Sequence, residues 1–242
     1  MSIQVYIPFS RYDALAPPSQ TVLVSPTTDI LADTEQAAPR KAAISRDDLI
    51  AAALKLVGPH RSLSTLSLRE VTREAGIAPN SFYRQFRDMD ELAVALIDVS
   101  GRSLRKIIGQ ARQRVSRERS VIRVSLETFM EQLRADDKLL HVLLREGTVG
   151  SDAFKQAVER ELNSFEEELQ VDLVRLAAAE NSRLHKPALV SRAITRLVFA
   201  AGASAMDMPP EKDPELIEQL SQMLRMIITG SRAMAEAEAK GK

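Results

Sequence analysis

From Ser45 onward, apolar residues recur at three- and four-residue steps, the spacing that gathers them on one face of an α-helix. Leu49, Ile50, Ala53, Leu54 and Val57 make one such face, which ends at Gly58 and Pro59. Leu68, Val71 and Ala75 make a short second face, and Phe82 with Phe86 a third. Longer faces follow: Leu92, Leu96, Val99, Leu104, Ile107 and Ile108, then Val121, Val124, Leu126, Phe129, Met130 and Leu133. Residues 139–144 form an apolar cluster, and Phe154, Val158, Leu162, Phe165, Leu169 and Leu173 predict a long helix over 151–179, broken at 181–187. Two more faces, around Leu189, Ile194, Leu197 and Val198 and around Leu216, Leu220, Leu224, Ile227 and Ile228, are separated by Pro209 and Pro210. Strand-like alternation of period two is absent from this pattern, so it predicts an all-α fold.

The most informative stretch is 67–92, SLREVTREAGIAPNSFYRQFRDMDEL. Ser67 and Glu70 have the spacing of a capping box, in which a hydroxyl and a carboxylate each satisfy a free backbone amide at a helix start. Gly76 suits the left-handed turn that ends the helix. Pro79 suits the first turn of the next helix, where its missing N–H has no intrahelical partner to lose. With Phe82 and Phe86 facing inward, Asn80, Ser81, Tyr83, Arg84 and Gln85 are left outward. Such amide, hydroxyl and guanidinium tips read base edges and grip phosphates. A capped helix pair with an ordinary solvated face accounts for each feature singly; their coincidence favours a helix-turn-helix that enters DNA.

Charge sharpens this reading. The formal net charge of the 242 residues is zero, which by itself argues against a nucleic-acid partner, but the distribution is uneven. Residues 1–39 carry −3, residues 40–119 carry +7 and residues 120–242 carry −4. The basic segment is the one holding the motif, as phosphate neutralisation requires. Residues 1–39, with five prolines and no helical periodicity, read as a disordered tail, and Arg40 and Lys41 as flanking phosphate contacts. No Cys is present, which excludes disulfides and thiolate chemistry and suits a cytoplasmic location. No apolar run reaches the ~18–20 residues that span a bilayer, so no membrane role is expected. No metal-ligand cluster, nucleotide loop or nucleophile–base pair stands out. The reading is therefore not an enzyme, with neither catalytic residue, metal nor cofactor.

Ser67-Leu68-Arg69-Glu70-Val71, Ala75-Gly76-Ile77, Ser81-Phe82-Tyr83-Arg84-Gln85-Phe86 and Asp90-Glu91-Leu92 together resemble the TetR family of transcriptional regulators. The resemblance implies that the helix after Gly76 is the recognition helix, that Ser67 and Arg69 lie at the DNA edge, and that a homodimer presents two reading heads to a palindromic operator. Many members carry lysine where this chain has Met89; Arg87 is then the nearest substitute. The implied domains are a tail over 1–39, a three-helix helix-turn-helix domain over 40–103, and a helical ligand-binding and dimerisation bundle over 104–242. The last two helices are the expected partner surface, with the small-residue run 200–205 allowing close approach, and the alanine-rich end from Met234 is expected to fray. Asp88 and Glu91 read as a capping box for the helix that joins the two domains, and Gly101 as a bend or weak point within it.

An aliphatic interior with methionines suits an apolar ligand held between helices. Phe129, Leu143, Leu144, Arg145 and Phe165 are the candidate lining. His141, Arg145 and Glu146 form a polar group that reads better as a satisfied structural cluster than as a cavity wall. Short stretches at 120–123, 128–131, 143–146 and 199–207 look closest, within TetR regulators, to FabR-type repressors of unsaturated fatty-acid biosynthesis. That likeness implies long-chain acyl-CoA or acyl-carrier protein as effector. Two other readings stay open: a TetR-type regulator of efflux or catabolic genes with a different apolar effector, and a helical interaction module that does not bind DNA.

Overall fold

The computed structural model describes residues 44–58, 61–113, 120–135 and 138–240, with residues 147–149 as backbone alone. The tail expected over 1–39, with Arg40 and Lys41, lies outside the described residues. The helices are α1 (Arg46–Leu56), α2 (Leu68–Glu74), α3 (Pro79–Phe82), α4 (Met89–Gln113), α5 (Val121–Arg134), α6 (Leu139–Val149), α7 (Asp152–Ala179), α8 (Pro187–Ala205) and α9 (Asp213–Lys240). Short 3₁₀ turns occur at Leu63–Thr65 and Pro210–Lys212. Among the described residues there is no strand, only an isolated bridge between Gly58 and Arg61, so the all-α expectation holds.

Local chemistry accounts for most helix starts. Ser45 and Asp48 form a reciprocal capping box at α1, as Ser67 and Glu70 do at α2. Ser151 caps α7 through the amide of Phe154. The start of α4 departs from expectation: Asp88 accepts the Glu91 amide at 2.8 Å, but the Glu91 carboxylate accepts from the Arg87 amide at 2.8 Å instead of closing back on Asp88. The cap is thus extended by one residue and holds Arg87 in register with α4.

One core runs through the described chain. Leu49, Val71, Phe82, Phe86, Leu92 and Leu96 bury the head, and Leu104, Leu126, Leu133, Leu140 and Leu143 continue it into the bundle. Helix α4 joins the two: it packs on α1 at one end and on α5, α6 and α7 along its length. A boundary at 103/104 therefore falls inside a continuous helix of 25 residues, about 37 Å long. Gly101 is not a weak point of that helix. It lies where α7 crosses: a Cβ there would sit 2.6 Å from Glu161 Cγ and closer still to its carboxylate, so only glycine lets the buried Glu161 side chain lie on the α4 backbone.

Two further expectations are corrected at the C-terminal end. The chain from Met234 does not fray before Lys240, because Ser231 exchanges hydrogen bonds with His185 (3.2 and 2.9 Å) and Glu238 meets His185 Nδ1 at 2.9 Å. Helix α8 does reach a length and apolar composition that could cross a bilayer. However, Val190, Ile194, Val198 and Phe199 are buried on the bundle, and Arg196 is held by Glu159 and Glu166, which marks it as a bundle helix. That packing also corrects the seam expected for a partner. Ile194, Val198, Leu220 and Leu224 close the core of this chain, whereas Leu189, Met223 and Met226 face outward.

Candidate nucleic-acid interface and the cavity behind it

The turn between α2 and α3 is set by hydrogen bonds as well as by residue type. Gly76 has φ +67°, its amide donates to the Arg73 carbonyl at 3.1 Å, and the Ile77 amide donates to the Thr72 carbonyl at 2.9 Å. This is the Schellman pattern, in which one left-handed residue lets the last carbonyls of a helix be satisfied while the chain turns away. Pro79 opens α3, and the Phe82 and Phe86 rings, with centroids 5.8 Å apart, anchor it in the core at 0% and 1% exposure. Only Pro79–Phe82 are α-helical; residues 83–85 continue as tighter turns, with Gln85 N–H donating to the Phe82 carbonyl at 2.9 Å.

This geometry sorts the candidate contacts. Asn80 and Arg84 are exposed, Ser81 is half-buried, and Tyr83 is 61% exposed with its ring edge-on to Phe82. Arg69 is exposed on the first turn of α2. Arg69 and Arg84 make no ion pair among the described residues, and the same holds for exposed Arg73 in the last turn of α2, which the residue pattern alone did not single out. Ser67 is exposed, but its hydroxyl donates to Glu70 Oε2 at 2.8 Å and accepts the Glu70 amide, so its part is to set α2. Gln85 turns inward: its Nε2 donates to the Ile44 carbonyl at 2.9 Å, which braces the start of α1 and withdraws it from the outward set. Arg87 pairs with Asp88 at 2.9 Å, and Met89 packs against the core, leaving no cation at its position.

Arg46 emerges only from the tertiary structure. Its guanidinium lies 4.1 Å from the centre of the Phe86 ring, and it donates to the Gln85 carbonyl at 3.0 Å and to Glu91 at 3.1 Å. One side chain thus ties α1 to the end of the reading segment and to the start of α4. Three carboxylates of the head are engaged in the same way. Hydrogen bonds from Ser67 and then Arg61 hold the Glu70 carboxyl down to about 2. Backbone amides lower Asp88 and Glu91, the first through Glu91 N–H and the second through Arg87 N–H. With these three carboxylates engaged, the guanidiniums of Arg69, Arg73 and Arg84, unpaired among the described residues, stay available to an anion such as a phosphate backbone.

The head is tied to the bundle by a buried carboxylate. Glu146 of α6 is 1% exposed and accepts the Leu63 amide at 2.7 Å and the Ser62 hydroxyl at 3.0 Å. Burial pushes its pKa up, against the lowering effect of those two donors. His141 lies beside it on α6 but bonds the Leu133 carbonyl through Nε2 at 2.7 Å. Glu146 thus has a structural part, with partners some eighty residues away, and His141 ties the start of α6 back to the end of α5.

Between α4, α5, α7, α8 and α9 lies a cavity of about 630 Å³. Phe129, Phe165 and Phe199 form its aromatic wall, with ring centroids 5.6 and 5.2 Å apart, and Leu126, Leu173, Ile194 and Val198 complete the apolar part. Arg112, Asp172, Glu180, Arg225 and Arg232 supply charge. Two of the expected lining residues, Phe129 and Phe165, lie there. Leu143, Leu144 and Arg145 do not, because α6 spends its buried side on α4, α7 and α8 and no described α6 side chain reaches the space. Among the described residues no group of ligands for a metal ion occurs.

Residues 49–96 match the bacterial regulatory proteins of the tetR family. Among solved structures, E. coli NemR in its reduced form has 19% identity and a TM-score of 0.60, covering 76% of this chain and 96% of its own. The fatty acid degradation regulator FadR from Bacillus halodurans has 15% identity and a TM-score of 0.59, covering 77% and 96%. AibR, solved with isovaleryl coenzyme A and operator DNA, has 11% identity and a TM-score of 0.55, covering 74% and 97%. At these identities the likeness is one of fold. Matched segment and fold agree: residues 49–96 are similar to the tetR family of bacterial regulatory proteins, and the described helices share the architecture of those solved structures.

Proposed function

We propose that the chain is a homodimeric transcriptional repressor that binds a palindromic operator through α2 and α3 and controls genes of unsaturated fatty-acid biosynthesis in response to a long-chain acyl-CoA or acyl-carrier protein. The observation that carries the effector half of this reading is the 630 Å³ cavity with its three phenylalanine rings, a volume within the usual range for small-molecule sites and apolar enough for an alkyl chain. Each methylene buried there contributes about 0.8 kcal/mol, so chain length and kink translate directly into affinity. The cavity touches α4, whose first turns also pack in the head, so a ligand favouring one tilt of α4 favours one spacing of paired heads. The short likenesses to FabR-type repressors supply the target genes, and the acyl-linked neighbours FadR and AibR are compatible with that class of ligand.

Dimerisation is assigned to the outer faces of α8 and α9, where Leu189, Met223 and Met226 are exposed. The test is operator selection by the purified full chain, repeated with palmitoyl-CoA and oleoyl-CoA. The expected result is one enriched palindrome whose retention differs between the two thioesters. Enrichment without any response to either would remove the acyl reading and favour a regulator of efflux or catabolic genes. No enrichment at all would favour a helical interaction module.

A further inference from the structure

The charged residues of the cavity are unevenly engaged. Arg112, near the end of α4, is 10% exposed and donates from Nε to Asp172 at 2.7 Å. Asp172 has a second cation: Arg175 donates to its other oxygen at 2.8 Å from outside the cavity lining. Glu180 is held by Arg232 at 2.6 Å. Arg225 makes no ion pair among the described residues. Among the described lining residues three guanidiniums therefore accompany two carboxylates, and both carboxylates are already bonded. A cationic ligand would have to break such a pair; an anion meets a free arginine and one more that is easily released. If Arg112 lets go of Asp172, the carboxylate keeps Arg175 and no buried charge is orphaned, which avoids the usual cost of breaking a buried pair.

We infer that the cavity takes an amphiphile with an anionic head, and that this head replaces Asp172 as the partner of Arg112. The inference rests on the cavity being the effector site. The exchange reaches the DNA-reading end because Arg112 is on α4. Arg112 clips the far half of that helix to α7 through Asp172; with the anion bound, the clip to α7 opens and α4 is held by the ligand instead. The remaining clips between the two helices, Arg105 with Glu161 and Glu168 and Asp98 with Arg160, lie closer to the head and become the pivot.

The test is a binding titration of the full chain with three probes of one tail: oleate, oleoyl-CoA and the neutral oleyl alcohol. The wild type is expected to prefer at least one anionic probe over the alcohol by about tenfold, the worth of one charge-assisted hydrogen bond. Arg112→Gln is expected to cut that preference at least threefold, Arg225 accounting for what is left, while leaving the alcohol's affinity within about twofold, which also shows that the variant is folded. Asp172→Asn, which removes the competing carboxylate, is expected to tighten anion binding. Preference for oleate would identify a carboxylate head, and preference for oleoyl-CoA a phosphate. Equal affinity for alcohol and anions, or an anion preference undiminished in Arg112→Gln, overturns the exchange and leaves the apolar site standing. Failure of all three probes to bind overturns the effector site and the exchange together.

Discussion

Tyr83 and Arg84 share the exposed tip of the segment after Gly76, and as proposed DNA contacts they would contribute differently. Tyr83 projects an aromatic ring and one hydroxyl, with its ring edge braced on Phe82, so it can meet a base edge or sugar without unfolding anything when removed. Arg84 carries a full charge with no internal partner among the described residues. Tyr83→Ala is expected to weaken binding to the selected operator with the melting temperature unchanged. Arg84→Ala is expected to weaken it as well, and to lower the slope of log affinity against log salt by about one, as the loss of one phosphate contact does. Fluorescence anisotropy at several salt concentrations checks both, and normal binding by the two variants would refute the assignment. Glu70 gives a pH signature at the same scale. Its carboxyl is depressed from 4.5 to about 2 in the folded chain, so its contribution is complete above 4.5 and is lost as the pH falls from there toward 2. The stability difference between wild type and Glu70→Gln, followed by urea unfolding, should shrink over that window.

At the level of elements, two contacts decide how α4 and α6 bear on the head. The crossing of α4 and α7 depends on Gly101, because Glu161 is buried on it and held by Arg105, leaving little room for the side chain to retreat. Gly101→Ala is expected to destabilise the fold by about 1–3 kcal/mol, as overpacking does despite the better helix propensity of alanine. Adding Glu161→Ala should recover part of the loss in a double-mutant cycle; an additive pair would contradict the crossing described here. Glu146 is the second contact. Replacing it with Ala leaves the Leu63 amide buried without a partner, an expected loss of about 1–3 kcal/mol in chemical unfolding. Glu146→Gln keeps an acceptor for Leu63 and loses less. The sign of the pH effect is opposite to that of Glu70: with its folded pKa raised above 4.5, the wild type loses stability as the pH rises from 4.5 through the raised value, and Glu146→Gln should lack that slope.

For the whole molecule, the apolar residues left outside matter as much as those within. Leu189 at 61% and Met226 at 69% exposure are large apolar groups on helices whose opposite faces are already committed to the core. The double change Leu189→Glu with Met226→Glu is expected to convert the proposed dimer to a monomer in sedimentation velocity. It should also reduce operator affinity far more than either head variant, since one head without its pair loses half the contacts. An unchanged sedimentation coefficient would place the partner surface elsewhere.

The fold class, the order of helices and the head itself were legible in the chain because each rests on local chemistry. A serine three residues before a carboxylate, a glycine where the chain turns left-handed, and a phenylalanine pair four apart state their own geometry. The long helix expected over 151–179 is α7 almost to the residue, since its start needs only the Ser151 cap and its end the break before Pro187. What depends on residues distant in sequence stayed hidden. Gly101 looks like a flaw until Glu161, sixty positions on, is seen lying across it, and Gln85 looks outward until Ile44 offers its carbonyl. Glu146 finds its partners in the turn before α2, and the cavity draws on five helices while passing over the leucines of α6. Periodicity tells which face of a helix is apolar; only packing decides which neighbour covers that face, and where the space between neighbours is left unfilled.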